Sequence, residues 1–71
     1  TLAVHDVVLP ERQQEVLAWI YRGKSNADIG SILKLSPLTV KNHVQRLLRR
    51  LNTTNRAHAV GKALAIRALE F

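Results

Sequence analysis

The sequence predicts an all-α, compact four-helix domain containing a helix-turn-helix. Three observations point there. Apolar residues fall on one side of the chain at helical spacing in successive segments, and Pro10, Gly23, Ser25, Ser36 and Pro37 mark starts and stops between them. A short second segment is also joined by a tight turn to a longer, basic third. The helices are expected at about 10–22, 25–34, 36–51 and 55–69.

Thr1 to Val8 has no clear periodicity and reads as a linker or tail, leaving 9–71 as the folded unit; a start at Thr1 in place of Met fits a fragment or a processed product whose sensor or receiver lies upstream. The first helix follows, with Pro10 in its first turn, where a missing N–H does no harm. Val16, Leu17 and Ile20 form its inward stripe, and Gly23 ends it. Ser25 opens the second helix, with Asp28 three positions on to reach back in a capping box. Ala27, Ile29, Ile32 and Leu33 are its apolar positions. Gly30 costs about 1 kcal/mol relative to Ala in a helix interior, so another helix is expected to cross closely there.

Ser36 caps the third helix and Pro37 takes its first turn. At about 100° per residue, Val40, Val44, Leu47, Leu48 and Leu51 fall together, while Lys41, Asn42, Gln45, Arg46 and Arg49 fan around the opposite side. Asn52 to Asn55 is a polar turn, and an Ala-rich fourth helix begins near Asn55. Ala57, Val60, Leu64 and Ala68 suit packing inward. Ala59, Ala63 and Ile66 then leave a second apolar strip with no use inside a monomer, which a self-partner explains.

Size and charge narrow the function. A 71-residue chain buries only roughly 60% of the surface its unfolded form exposes, so a large enclosed active site is not expected. The chain has no Cys, and His5, His43 and His58 lack ligand-like spacing, so neither a disulfide, a metal nor another cofactor is expected. No segment reaches the run of about 18 apolar residues that a membrane span needs. A reducing, cytoplasmic setting fits. The net charge of +6 is uneven: residues 1–28 carry three basic and four acidic groups, whereas from residue 29 onward eight basic groups face Glu70 alone.

That asymmetry, with the outward face of the third helix, points to nucleic acid. Asn and Gln pair with adenine edges, Lys and Arg reach guanine or phosphate, and no carboxylate interrupts them. Other motifs lead nowhere. Gly23-Lys24-Ser25 imitates the end of a phosphate-binding loop, but that motif requires Gly at 18, which is Ala. Asn52-Thr53-Thr54 has the form of a glycosylation acceptor and is read as a turn and cap. Trp19 and Tyr21 are read as packing residues, and His5 and His58 as having no special role. No nucleophile, base and orienting acid can be assembled, so the chain is not expected to be an enzyme, nor to hold a small-molecule ligand.

Leu9, Arg12, Glu15-Val16-Leu17, Gly23, Ser25-Asn26, Ile29, Leu33, Ser36, Thr39-Val40-Lys41, His43, Leu51, Arg56 and Ala59, in order and without gaps, resemble the LuxR/GerE-type helix-turn-helix of bacterial response regulators and quorum-sensing regulators. The Gly-x-Ser-Asn and Thr-Val-Lys-x-His segments carry most of the likeness, which runs from Leu9 to about Val60. The resemblance implies sequence-specific binding of double-stranded DNA by the output domain of a transcriptional regulator, with the third helix in the major groove. It assigns base contacts to Lys41, Asn42 and Gln45, phosphate contacts to Thr39, His43, Arg46 and Arg49, and a homodimer to the fourth helix. The chain departs from the family pattern at Pro10 (usually Thr), Gln13 (Glu), Tyr21 and Gly30 (Ala) and Thr53 (Val). Gln13, by removing a carboxylate, is expected to weaken repulsion of DNA if that helix start lies near the backbone. The competing reading is a protein-interaction module, such as a sigma-factor-like domain docking on RNA polymerase; a third possibility is a domain that targets an attached enzyme to DNA.

Overall fold

The computed structural model describes residues 9–66; the expected tail at 1–8 and the end of the fourth helix, with Ala68, lie outside the described residues. Four helices follow in order: α1 (Glu11–Tyr21), α2 (Asn26–Leu33), α3 (Pro37–Arg50) and α4 (Arg56–Ile66). Among the described residues there is no strand. Apart from the end of α4, which lies outside the described residues, the bounds lie within a residue of those expected, because the expected ranges included the caps.

Three helices end in the same way. Gly23 (φ 83°) lets its own N–H and that of Lys24 turn back to the Ile20 and Trp19 carbonyls, at 2.9 and 3.1 Å. Asn52 (φ 54°) repeats the pattern at the end of α3, its N–H donating to Arg49 and that of Thr53 to Leu48. Both endings satisfy carbonyls that the helix leaves orphaned, through one left-handed residue. At the end of α2 the left-handed residue is Lys34 (φ 58°), and the Leu35 N–H closes the turn on the Gly30 carbonyl at 2.8 Å. Glycine and Asn adopt this backbone readily; Lys does so at a cost.

The helix starts are equally specific. Ser25 Oγ accepts the Asp28 N–H and Asp28 Oδ2 accepts the Ser25 N–H, both at 3.1 Å, so the capping box forms. Pro10 sits one position earlier than expected: its ψ of 151° is extended, so it is the residue before the helix, and its carbonyl accepts the Gln14 N–H. Asn55 Oδ1 accepts the His58 N–H at 2.8 Å to cap α4.

The core is made of Leu9, Val16, Leu17, Ile20, Ile29, Val40, Val44, Leu47, Leu51, Ala59 and Ala63. α3 runs through its centre, packed on α1, α2 and α4. The short α2 buries less than expected: Ile29 and Gly30 are enclosed and Leu33 half-buried, but Ala27 and Ile32 are exposed, because two helical turns offer α3 only one narrow side. Gly30 does mark a close approach, but of the chain's own turn. A Cβ there would lie 2.5 Å from the Leu35 carbonyl oxygen. A hydrogen bond from Arg56 Nη2 to Asn26 Oδ1, partly buried, ties the start of α4 to that of α2.

Candidate nucleic-acid interface

The outer face of α3 is set by what its inner face buries. With Val40, Val44 and Leu47 enclosed, the 3.6-residue period turns Lys41, Asn42, Gln45, Arg46, Arg49 and Arg50 to solvent, and all six are exposed. Thr39 and His43 lie half-buried on the flanks. The first turn is tightly held: Ser36 Oγ accepts the Thr39 N–H at 3.1 Å and lies 2.9 Å from the Thr39 hydroxyl, while Pro37 fixes φ behind it. The last turn carries Arg49 and Arg50, cations at the negative end of the helix dipole.

No carboxylate lies between residues 29 and 66. Among the described residues, Lys41, Arg46, Arg49 and Arg50 have no ion-pair partner, so their charge is available to a polyanion. The structure therefore gathers Lys41, Asn42, Gln45, Arg46 and Arg49 on one surface, with Thr39 and His43 at its borders.

Two further site residues, Arg12 and Arg50, escaped the sequence reading. A groove between the start of α1 and the outer half of α3 is lined by Pro10, Arg12, Gln13, His43, Arg46, Arg49 and Arg50. Arg50 extends the spacing of Arg46 and Arg49 and could have been read from it. Arg12 could not, because only tertiary packing brings α1 beside α3. Its ion pair with Glu15, 3.5 Å long with both side chains more than two-fifths exposed, is of the kind worth about 0–1 kcal/mol and leaves the guanidinium free to exchange partners. Gln13, expected to weaken repulsion of DNA through its missing carboxylate if that helix start lies near the backbone, is 5% exposed. Its Oε1 and the Nδ1 of His43 are buried without a hydrogen-bond partner, giving the groove a polar floor.

The fourth helix corrects the expected self-association strip. Ala59 and Ala63 are fully buried in the core, facing α1 and α3. Small side chains let α4 pack close there, and inward-facing Ala was mistaken for outward-facing. Ala57 and Leu64, expected inside, are exposed, and Val60 is half-buried. The outward apolar strip is thus Ala57, Gly61 and Leu64. The side chain of Ile66 lies outside the described residues. Of the remaining singled-out residues, Trp19 packs on the core with the Arg22 guanidinium 5.1 Å above its ring, and His58 is exposed. Among the described residues no cluster of His, Asp or Glu is placed to hold a metal, and no helix is long and apolar enough to cross a membrane.

The family described as bacterial regulatory proteins, luxR family, matches residues 7–63. Over 60 residues the chain is 45% identical to the transcriptional activator protein SolR of Ralstonia solanacearum, covering 84% of this chain and 25% of that protein. It is 42% identical over 64 residues to the transcriptional activator protein LuxR of Aliivibrio fischeri, covering 90% and 26%. It is 44% identical over 63 residues to the probable transcriptional regulatory protein NarL of Mycobacterium tuberculosis, covering 89% and 29%. The chain thus spans about a quarter of the length of these relatives. Among solved structures, the transcription factor GerE superposes with a TM-score of 0.81 at 28% identity, covering 97% of both chains. The response regulator ChrA, of a heme-sensing two-component system, superposes with a TM-score of 0.84 at 31% identity, covering 87% of this chain and 31% of that one. With the four-helix fold, the basic third helix and these likenesses together, the chain belongs to the luxR family of bacterial regulatory proteins, as a DNA-binding helix-turn-helix domain.

Proposed function

We propose that this domain reads double-stranded DNA through α3, laid in the major groove as the recognition helix of a helix-turn-helix. The observation that carries the reading is the exposed, carboxylate-free outer face of α3, whose rotation is locked by three buried residues. Lys41, Asn42 and Gln45 read base edges, because Lys41 and Asn42 stand in the first half of the helix, where side chains reach the groove floor, and Gln45 follows one turn later on the same exposed side. Thr39, His43, Arg46 and Arg49 hold backbone phosphates, joined by Arg12 and Arg50 across the α1–α3 groove.

The domain works as a homodimer on two half-sites, with the exposed Ala57, Gly61 and Leu64 of α4 meeting a second copy. It serves as the cytoplasmic output domain of a longer regulator, a reading supported by relatives more than three times its length. Selection of sites from random DNA duplexes by the purified chain at moderate salt tests this. Enrichment of an inverted repeat is the expected result. Salt-sensitive retention without a consensus would overturn sequence-specific reading and leave α3 as a nonspecific anion-binding surface.

A further inference from the structure

The first turn of α3 carries a residue that neither the fold nor the charged surface explains. Leu38 is 65% exposed, the highest value among the exposed large apolar residues described, and it takes no part in the core. It stands three, four and seven residues before Lys41, Asn42 and Gln45, so it continues their stripe toward the helix start. Pro37 and the Ser36–Thr39 hydrogen bonds hold the backbone on either side of it. A rigidly presented apolar side chain therefore sits at the leading end of a polar reading face.

The major groove offers one apolar group to match. The C5-methyl of thymine is the one hydrocarbon substituent that projects there, amid the donors and acceptors of the base edges and the small C5–H of cytosine. A leucine over a donor or acceptor group would leave that group desolvated and unpaired, which disfavours it, while contact with a methyl removes apolar surface of both partners from water. We infer that Leu38 is a specificity-determining residue that packs on the C5-methyl of a thymine beside the bases read by Lys41, Asn42 and Gln45. This rests on the proposal that α3 enters the major groove, and it adds a preference for an A·T pair at a position no polar side chain of the face accounts for.

Deoxyuridine isolates the methyl, because it lacks that group and keeps every hydrogen-bonding atom of thymine. Each thymine of the selected duplex is replaced singly, and affinity is measured for the wild-type chain and for Leu38→Ala. At one thymine per half-site the wild type should lose about three- to fivefold, as expected for one methyl group returned to water. Leu38→Ala should bind the thymine duplex more weakly by a similar factor and lose nothing further at that deoxyuridine. Its melting temperature should match the wild type, since the side chain is exposed. The inference is overturned if no thymine shows this coupling, either because Leu38→Ala binds as the wild type does or because the two losses multiply. Absence of any preferred duplex for the wild type would instead overturn the underlying reading, so the two failures are distinguishable.

Discussion

On the proposed reading, single side chains on α3 divide into those that choose a sequence and those that only hold DNA. Lys41→Ala should relax base preference at one position per half-site, at about 1–3 kcal/mol of lost discrimination, and leave affinity for scrambled DNA less affected. Arg49→Ala and Arg12→Gln should weaken binding to every sequence alike, each reducing the slope of log affinity against log salt by about one. Binding titrations on selected and scrambled duplexes at several salt concentrations separate the two groups; equal effects on both duplexes from all three changes would contradict the division. Gly30 makes a second residue-scale case. Helix propensity alone favours Gly30→Ala by about 1 kcal/mol. The new Cβ, however, would lie 2.5 Å from the backbone oxygen of Leu35, which has no freedom to rotate away. The variant should be destabilised by about 1–3 kcal/mol in urea unfolding, the range of an overpacked core. A gain in stability would show that the turn yields.

Elements differ in how well the sequence exposed them. α3 was legible because its apolar positions are large and confined to one side, and its outward residues are all polar or cationic apart from Leu38. α4 was not, because Ala57, Ala59, Ala63 and Ala65 surround the helix and Ala gives no strong signal for inside or outside. Its rotation was therefore misjudged, and only packing against α1 and α3 decides it. The turn after α2 was legible as a turn but not in its conformation, since nothing about Lys34 announces a left-handed backbone. The burial of Gln13 went unread because a buried amide looks, in sequence, like a surface one. The start of α2 carries a pH dependence. The Ser25 backbone N–H, then its hydroxyl, and then nearby Lys24 hold Asp28 below the ordinary Asp value of 3.8. A carboxyl lowered on folding contributes stability that is fully present above that ordinary value and is lost as pH falls through the folded one. Wild type should thus lose more stability than Asp28→Asn on acidification below about pH 4, with parallel curves at neutral pH. Parallel curves at all pH values would show that the capping box does not persist in solution.

The whole molecule is polarised. Half of the described cations, Arg12, Lys41, Arg46, Arg49 and Arg50, gather on α3 and the neighbouring edge of α1, while the outward strip of α4, Ala57, Gly61 and Leu64, is apolar and carries little side-chain bulk. Association through that strip should fail in Leu64→Glu, whose side chain is 42% exposed and whose change should leave the melting temperature within a few degrees. On an inverted repeat, the variant should bind each half-site independently where the wild type binds both together, as gel-shift titration would reveal. Joint binding by Leu64→Glu would place the self-contact elsewhere.

The connection from α2 to α3 has a consequence for control. Lys34 is committed to a left-handed backbone, the Leu35 amide is bonded to Gly30, Ser36 caps the next helix, and there is no room for a side chain on Gly30. Such a joint has no slack, so α3 keeps one angle to the rest of the domain. In a longer regulator of the kind proposed, a signal would then govern where this domain is carried, how near it is held to a second copy, or whether its α3 face is covered. Bending the domain itself is the option the joint leaves out.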